Sequence, residues 1–175
     1  MRDRKTFGEL LFKTAFCFMA CDGHIDDREI EEIQKLTRET KYFRGVDVSA
    51  ELVRLVDRVK SEGRQIFKNF IDEVAAGDLD VVQELLLLEV ALRVVYIDLR
   101  IDGNEIRFLR LLRSKLSVPT EVIVQRFGTV DLLLDGGRPS RDVRAMRSDP
   151  DSVLDGISNE QFKVLEIKLE GLDGV

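Results

Sequence analysis

The sequence predicts an all-α protein: a compact bundle of about seven helices, containing two related helix-loop-helix units and followed by a C-terminal extension. Three observations predict it. Through the first 128 residues apolar side chains recur at steps of three and four, not in alternation. Glycine and proline stand at the joints between these runs, as at Gly63, Gly77 and Pro119. One signed pattern also occurs twice, at a shift of 76 residues, each time after an apolar helix.

The elements follow in order. Residues 6–21 form a first helix, apolar nearly all round from Leu10 onward and therefore central. Residues 27–40 form an amphipathic second helix with Ile30, Ile33 and Leu36/Thr37 inward, and Tyr42-Phe43-Arg44-Gly45 connects it to the next. A third helix starts after Ser49, a good N-cap, and puts Leu52, Leu55, Val56 and Val59 on one stripe before Gly63. The fourth carries Ile66/Phe67, Phe70/Ile71 and Val74 and stops at Gly77. The fifth, over 80–97, is apolar on nearly every face and is the second central helix. The sixth, over 103–116, turns Ile106, Leu109, Leu112 and Leu116 inward. Pro119 occupies a first helical position, and a seventh helix runs to about 127.

Composition then changes. Residues 129–175 hold Gly136-Gly137, Pro139 and Pro150, with 10 acidic and 6 basic residues, so −4 of the net −6 lies there. This divides the chain into a helical domain over 5–128 and an extension over 129–175. Ser158-Asn159-Glu160-Gln161 has capping-box spacing and predicts a last helix over 159–170, although 162–169 also alternates partly, as a strand would.

Bulk properties exclude several classes. A chain of 175 residues with 44% hydrophobic residues buries a core without staples. An excess of acids, 33 against 27 bases, argues against a general nucleic-acid binder, which needs a basic face. Two cysteines make no disulfide scaffold, and a histidine triad would have to use His24. The longest apolar runs, 85–88 and 94–97, are far short of the ~20 residues of a membrane span. Phe18-Met19-Ala20-Cys21 loosely resembles a lipoprotein cleavage site, but Glu9 and Lys13 interrupt the apolar region that would precede it. The expectation is a soluble cytoplasmic protein with reduced thiols.

The repeated pattern is Asp-x-x-Ile-Asp-x-x-Glu-Ile, at residues 22–30 and 98–106. Leu10-Leu11 and Ala15 likewise match Leu86-Leu87 and Ala91. The two helix-loop-helix units are thus expected to resemble each other, with a pseudo-twofold axis as one way to pack them. Asp26 with Glu29, and Asp102 with Glu105, have the spacing of a capping box at the start of a helix, where carboxylates also suit the helix dipole. Capping does not account for Asp22 and Asp98. Each follows the C-terminal end of an apolar helix, where the dipole disfavours a carboxylate. Clustered hard oxygen ligands suit a divalent cation. The loops are not EF-hands: counted from Asp22, positions 3 and 12 are His24 and Ile33, and counted from Asp98 they are Arg100 and Leu109.

Other constellations read as structural. Cys17, Cys21 and His24 lack a standard zinc spacing, so buried thiols are expected. Arg138, Arg141, Arg144 and Arg147 repeat every third residue and read as a solvated band, with an anionic partner or the acidic loops as alternative contacts. There is no phosphate-binding glycine loop, no His-Glu-x-x-His and no nucleophile elbow.

The segments 15–36 (AFCFMACDGHIDDREIEEIQKL) and 91–112 (ALRVVYIDLRIDGNEIRFLRLL) resemble the two signature segments of the tellurite-resistance TerB-like family. The resemblance spans about residues 5–128. It implies an all-α body of about seven helices and non-catalytic work in bacterial stress-response assemblies. It also implies a divalent metal, Ca²⁺, Mg²⁺, Mn²⁺ or Zn²⁺, held by acidic loops. The matching positions are Asp22, Asp26, Glu29, Asp98, Asp102 and Glu105. Leu99 stands where the family pattern has a glycine, and the second loop carries its glycine at Gly103. A protein partner is expected, and a homodimer is left open. Two alternatives stand beside this reading: a metal-free scaffold or oligomerisation protein whose acids only cap helices, and a metal-dependent hydrolase using the six carboxylates.

Overall fold

The computed structural model describes residues 4–21, 23–25, 27–97, 101–133 and 154. Among these, the secondary structure is entirely helical: α1 (Arg4–Ala20), α2 (Asp27–Glu39), a 3-10 turn (Lys41–Phe43), α3 (Val48–Glu62), α4 (Gln65–Ala75), α5 (Val81–Val95), α6 (Gly103–Lys115) and α7 (Thr120–Phe127). No described helix is long and apolar enough to cross a membrane. The expected seven-helix bundle is present.

α1 lies at the centre, and its contact with α5 is the most extensive between any two helices. It also touches α3, α4 and the 3-10 turn. Phe12, Phe16, Cys17, Ala20 and Cys21 are wholly buried along it. A helix buried on every side must satisfy its polar groups internally. Thr14 Oγ1 does so by donating to the Leu10 carbonyl at 2.9 Å. Lys13, only 8% exposed, donates its Nζ to Glu73 Oε2 on α4 at 2.8 Å.

Helix ends match local chemistry, with some corrections to the expected residues. Asp47 caps α3 in place of Ser49: its carboxylate accepts the Ala50 amide at 3.0 Å, and Ser49 falls in the first turn. Gly63 closes α3 with φ 57°, a left-handed value that a side chain would strain, while its N–H bonds back to Val59. Asp80 and Gln83 form a full capping box at the start of α5. Pro119 is the residue before α7 and not its first helical residue.

Two packing expectations also change. α5 is not covered all round, since Val81 and Val82 in its first turn are exposed. On α6 the inward stripe is Phe108, Leu109, Leu111, Leu112 and Leu116, with Ile106 only half-buried. The core also reaches past residue 128, because Leu133 and Leu154 are buried within it. The predicted helix over 159–170, its strand alternative and the arginine band over 138–147 lie outside the described residues.

Candidate acidic-loop site

The first loop leaves α1 after Ala20. The chain turns there: Cys21 Sγ donates to the Phe18 carbonyl at 3.1 Å, and the Gly23 N–H donates to the Ala20 carbonyl at 3.0 Å. Gly23 takes φ 85°, in the region that favours glycine. Leu99 stands at the matching position of the second loop. Following the first loop's path there would cost a leucine roughly 1–2 kcal/mol. Glu29 lies in the first turn of α2, half-buried and engaged by other groups. Asp22, Asp26 and Asp98 lie outside the described residues.

The second loop ends in a complete cap. The Asp102 carboxylate accepts the Asn104 N–H at 2.6 Å and the amide of the third helical residue, Glu105. Glu105 Oε2 in turn accepts the Asp102 N–H at 2.8 Å. Glu105 is 8% exposed, and both carboxylates sit at the positive end of the α6 dipole. The structure therefore brings Asp102 and Glu105 together around the backbone that opens α6. Asp102→Ala should cost about 1 kcal/mol, as loss of a helix cap does. Urea unfolding measures it, and an unchanged midpoint would mean that the cap contributes nothing.

Each central helix makes one side-chain contact near its C-terminal end with a helix of the other unit. Phe18, in the last turn of α1, meets Phe108 of α6 with ring centroids 4.8 Å apart. Arg93, in the last turn of α5, pairs with Glu39 of α2 at 3.6 Å. Ile97, just beyond α5, shares an open groove along α2 with Arg28, Lys35 and Arg38.

Among the described residues no group of three or more His, Cys, Asp or Glu side chains converges as metal ligands would. A site of three such ligands in the acidic loops must then draw on Asp22, Asp26 or Asp98. Cys17 and Cys21 are wholly buried while His24 is exposed. Burial pushes the Cys17 thiol up to about 12, outweighing the opposing pull of Lys13, so Cys17 is a packing residue and no nucleophile at neutral pH.

Sequence reasoning missed one buried acid. Glu84 in α5 is 5% exposed and accepts from Ser117 and Val118 in the connection between α6 and α7. The run of leucines at 85–88 is flanked by Glu84 and Glu89, and nothing in the sequence marks which of the two is buried. No protein-family model, curated protein or solved structure matches this chain.

Proposed function

We propose that this chain is a non-catalytic, TerB-like interaction domain of a bacterial stress-response assembly, working in the cytoplasm and binding one divalent cation through its paired acidic loops. The observation that carries the reading is the duplicated Asp-x-x-Ile-Asp-x-x-Glu-Ile, which follows each of the two helices that pack together at the centre. In this reading the two kinds of acid divide the work. Asp102 and Glu105, and by the same pattern Asp26 and Glu29, shape the loops and open the helices. Asp22 and Asp98 stand four residues before the capping-box positions in the sequence, so in this reading they supply the charge that a cation answers. The Phe18–Phe108 and Arg93–Glu39 contacts, one from the last turn of each central helix, support a shared site for the two loops.

Calorimetric titration of the full chain with Ca²⁺, Mg²⁺, Mn²⁺ and Zn²⁺ tests this. Saturable heat is expected with at least one ion, and Asp22→Asn/Asp98→Asn should abolish it. Absence of heat with all four ions, or heat unchanged in the double variant, overturns the proposal.

A second reading is a metal-free scaffold, and the finished capping box at Asp102 and Glu105 favours it. It expects a melting temperature that neither chelator nor added cation moves. The cation reading expects a rise with saturating ion, by about 2.7 kcal/mol of stability at a hundredfold excess over Kd.

A further inference from the structure

The outer face of α2 carries its charges in an order that is its own reverse with the signs exchanged. At 3.6 residues per turn, Arg28, Glu32, Lys35 and Glu39 fall within about 60° of one another around the helix, and Glu31 and Arg38 lie together on one flank of that stripe. All six line the open groove that Ile97 shares with α2. Read from its start the stripe runs base, acid, base, acid; read from its end it runs acid, base, acid, base. Arg28 and Glu39 are equidistant from the point between Ile33 and Gln34, as are Glu32 and Lys35, and the couple of Glu31 and Arg38 is centred one residue further on. An antiparallel copy of α2 therefore meets each of these charges with its opposite. The pairing found inside the chain is loose: Lys35 Nζ stands 4.0 Å from Glu32 Oε2, Glu39 stands 3.6 Å from Arg93, and Arg38 donates to Gln34.

A groove lined by three bases and three acids has no net charge to attract a uniformly acidic or basic partner. It fits a surface with the same charges in reversed order, and α2 of a second copy is such a surface. A twofold axis across the middle of the helix makes every contact twice, as an isologous interface does. Ile97 in the groove, with Tyr96 beside it 55% exposed, adds apolar surface at the edge. We propose that α2 pairs antiparallel with α2 of a second copy, Arg28 facing Glu39, Glu32 facing Lys35 and Glu31 facing Arg38 across the axis. The pairing does not rest on cation binding. A helix of 13 residues is only about 20 Å long, and its face falls short of the ~800 Å² per partner of a standard interface. The dimer is therefore weak, with a Kd above about 1 μM.

Sedimentation velocity of the full chain, run with a chelator so that no cation bridges copies, tests this. Dimer should grow with loading concentration up to about 1 mM and weaken at about 1 M NaCl, where the Debye length is about 3 Å. Lys35→Glu alone sets acid against acid across the axis, and Glu32→Lys alone sets base against base. Each should raise the Kd about tenfold, since two pairs are lost and two repulsions gained. Mixing the two variants restores opposite charges at both places, so the mixture should associate about as well as the natural chain while neither variant does so by itself. Far-UV circular dichroism of each variant separates this from misfolding. In the natural chain, the amide signals that shift with concentration should be those of α2 and residues 96–97. A chain that stays monomeric at every concentration overturns the proposal. So do a dimer that neither reversal weakens, a mixture that fails to associate although both variants are folded, and concentration-dependent shifts centred on another helix.

Discussion

Phe108→Ala should cost about 4 kcal/mol, within the usual range for removing a buried phenylalanine. Phe108 is 1% exposed and its ring touches three others: Phe18 at 4.8 Å, Phe67 at 5.7 Å and Phe70 at 6.0 Å. Those rings belong to α1 and α4, so one side chain joins α1, α4 and α6. The Phe67 contact is edge-to-face, and such aromatic pairs add about 0.5–1.5 kcal/mol beyond the area they bury. The three neighbours are themselves fully buried and cannot swing in to fill the space. For a chain of this size the melting temperature should fall by roughly 8–16 °C. Phe108→Leu keeps most of the volume and should cost less than about 1.5 kcal/mol. Equilibrium denaturation of both variants checks the ordering. A Phe108→Ala cost below that of Phe108→Leu would show that the aromatic cluster does not organise the bundle. Phe18→Ala removes the other half of the closest pair, so the Phe18→Ala/Phe108→Ala double variant should lose less than the sum of the singles.

Phe108 also marks where sequence reading stopped. A three-to-four-residue period locates a stripe but leaves its edges open by one position, which is about 100° of helix. On α6 the period through Ile106, Leu109, Leu112 and Leu116 is real, yet α4 packs on the side where Phe108 lies and turns the buried face toward it. No local pattern in α6 encodes the position of α4. The same limit explains Val81 and Val82, which read as core because α5 is apolar and are exposed because its first turn is covered only on the side of Gln83 and Glu84. Helix starts with a side-chain acceptor were more legible. Asp102 with Glu105 is the spacing of a box and the box is there, since that chemistry closes within four residues. At α3 two good caps stood close together, Asp47 and Ser49, and the structure takes the earlier one. The repeat itself is a property of the sequence, in which both the apolar helix and the signed loop recur. The Phe18–Phe108 and Arg93–Glu39 contacts were not legible, since they join residues far apart in sequence.

Glu84→Ala should be the largest effect of any polar substitution, about 3 kcal/mol. Glu84 stands in the first turn of α5, where the helix dipole favours a carboxylate, but its partners are remote. Oε1 accepts the Ser117 N–H at 3.0 Å and its hydroxyl at 2.9 Å, and Oε2 accepts the Val118 N–H at 2.5 Å. These two amides lie between α6 and α7, where no helical carbonyl reaches them. Val118 is 1% exposed, so water cannot replace the lost acceptor at its amide. Stranding a buried N–H costs about 1–3 kcal/mol, and the bonds lost are charge-assisted. Glu84→Gln separates charge from shape. Its amide keeps one acceptor oxygen but turns an NH₂ toward a second donor, so it should recover only part of the loss, leaving a cost of about 2 kcal/mol. Amide hydrogen exchange gives the local readout: Ser117 and Val118 should exchange faster in both variants, by more than the amides in the middle of α1. Equal stability of Glu84→Ala and the natural chain would show that the α6–α7 connection is held by the packing of Val118 and Ile123 alone. The expected order, natural chain above Gln above Ala, instead makes this single carboxylate the clasp that fixes where α7 begins.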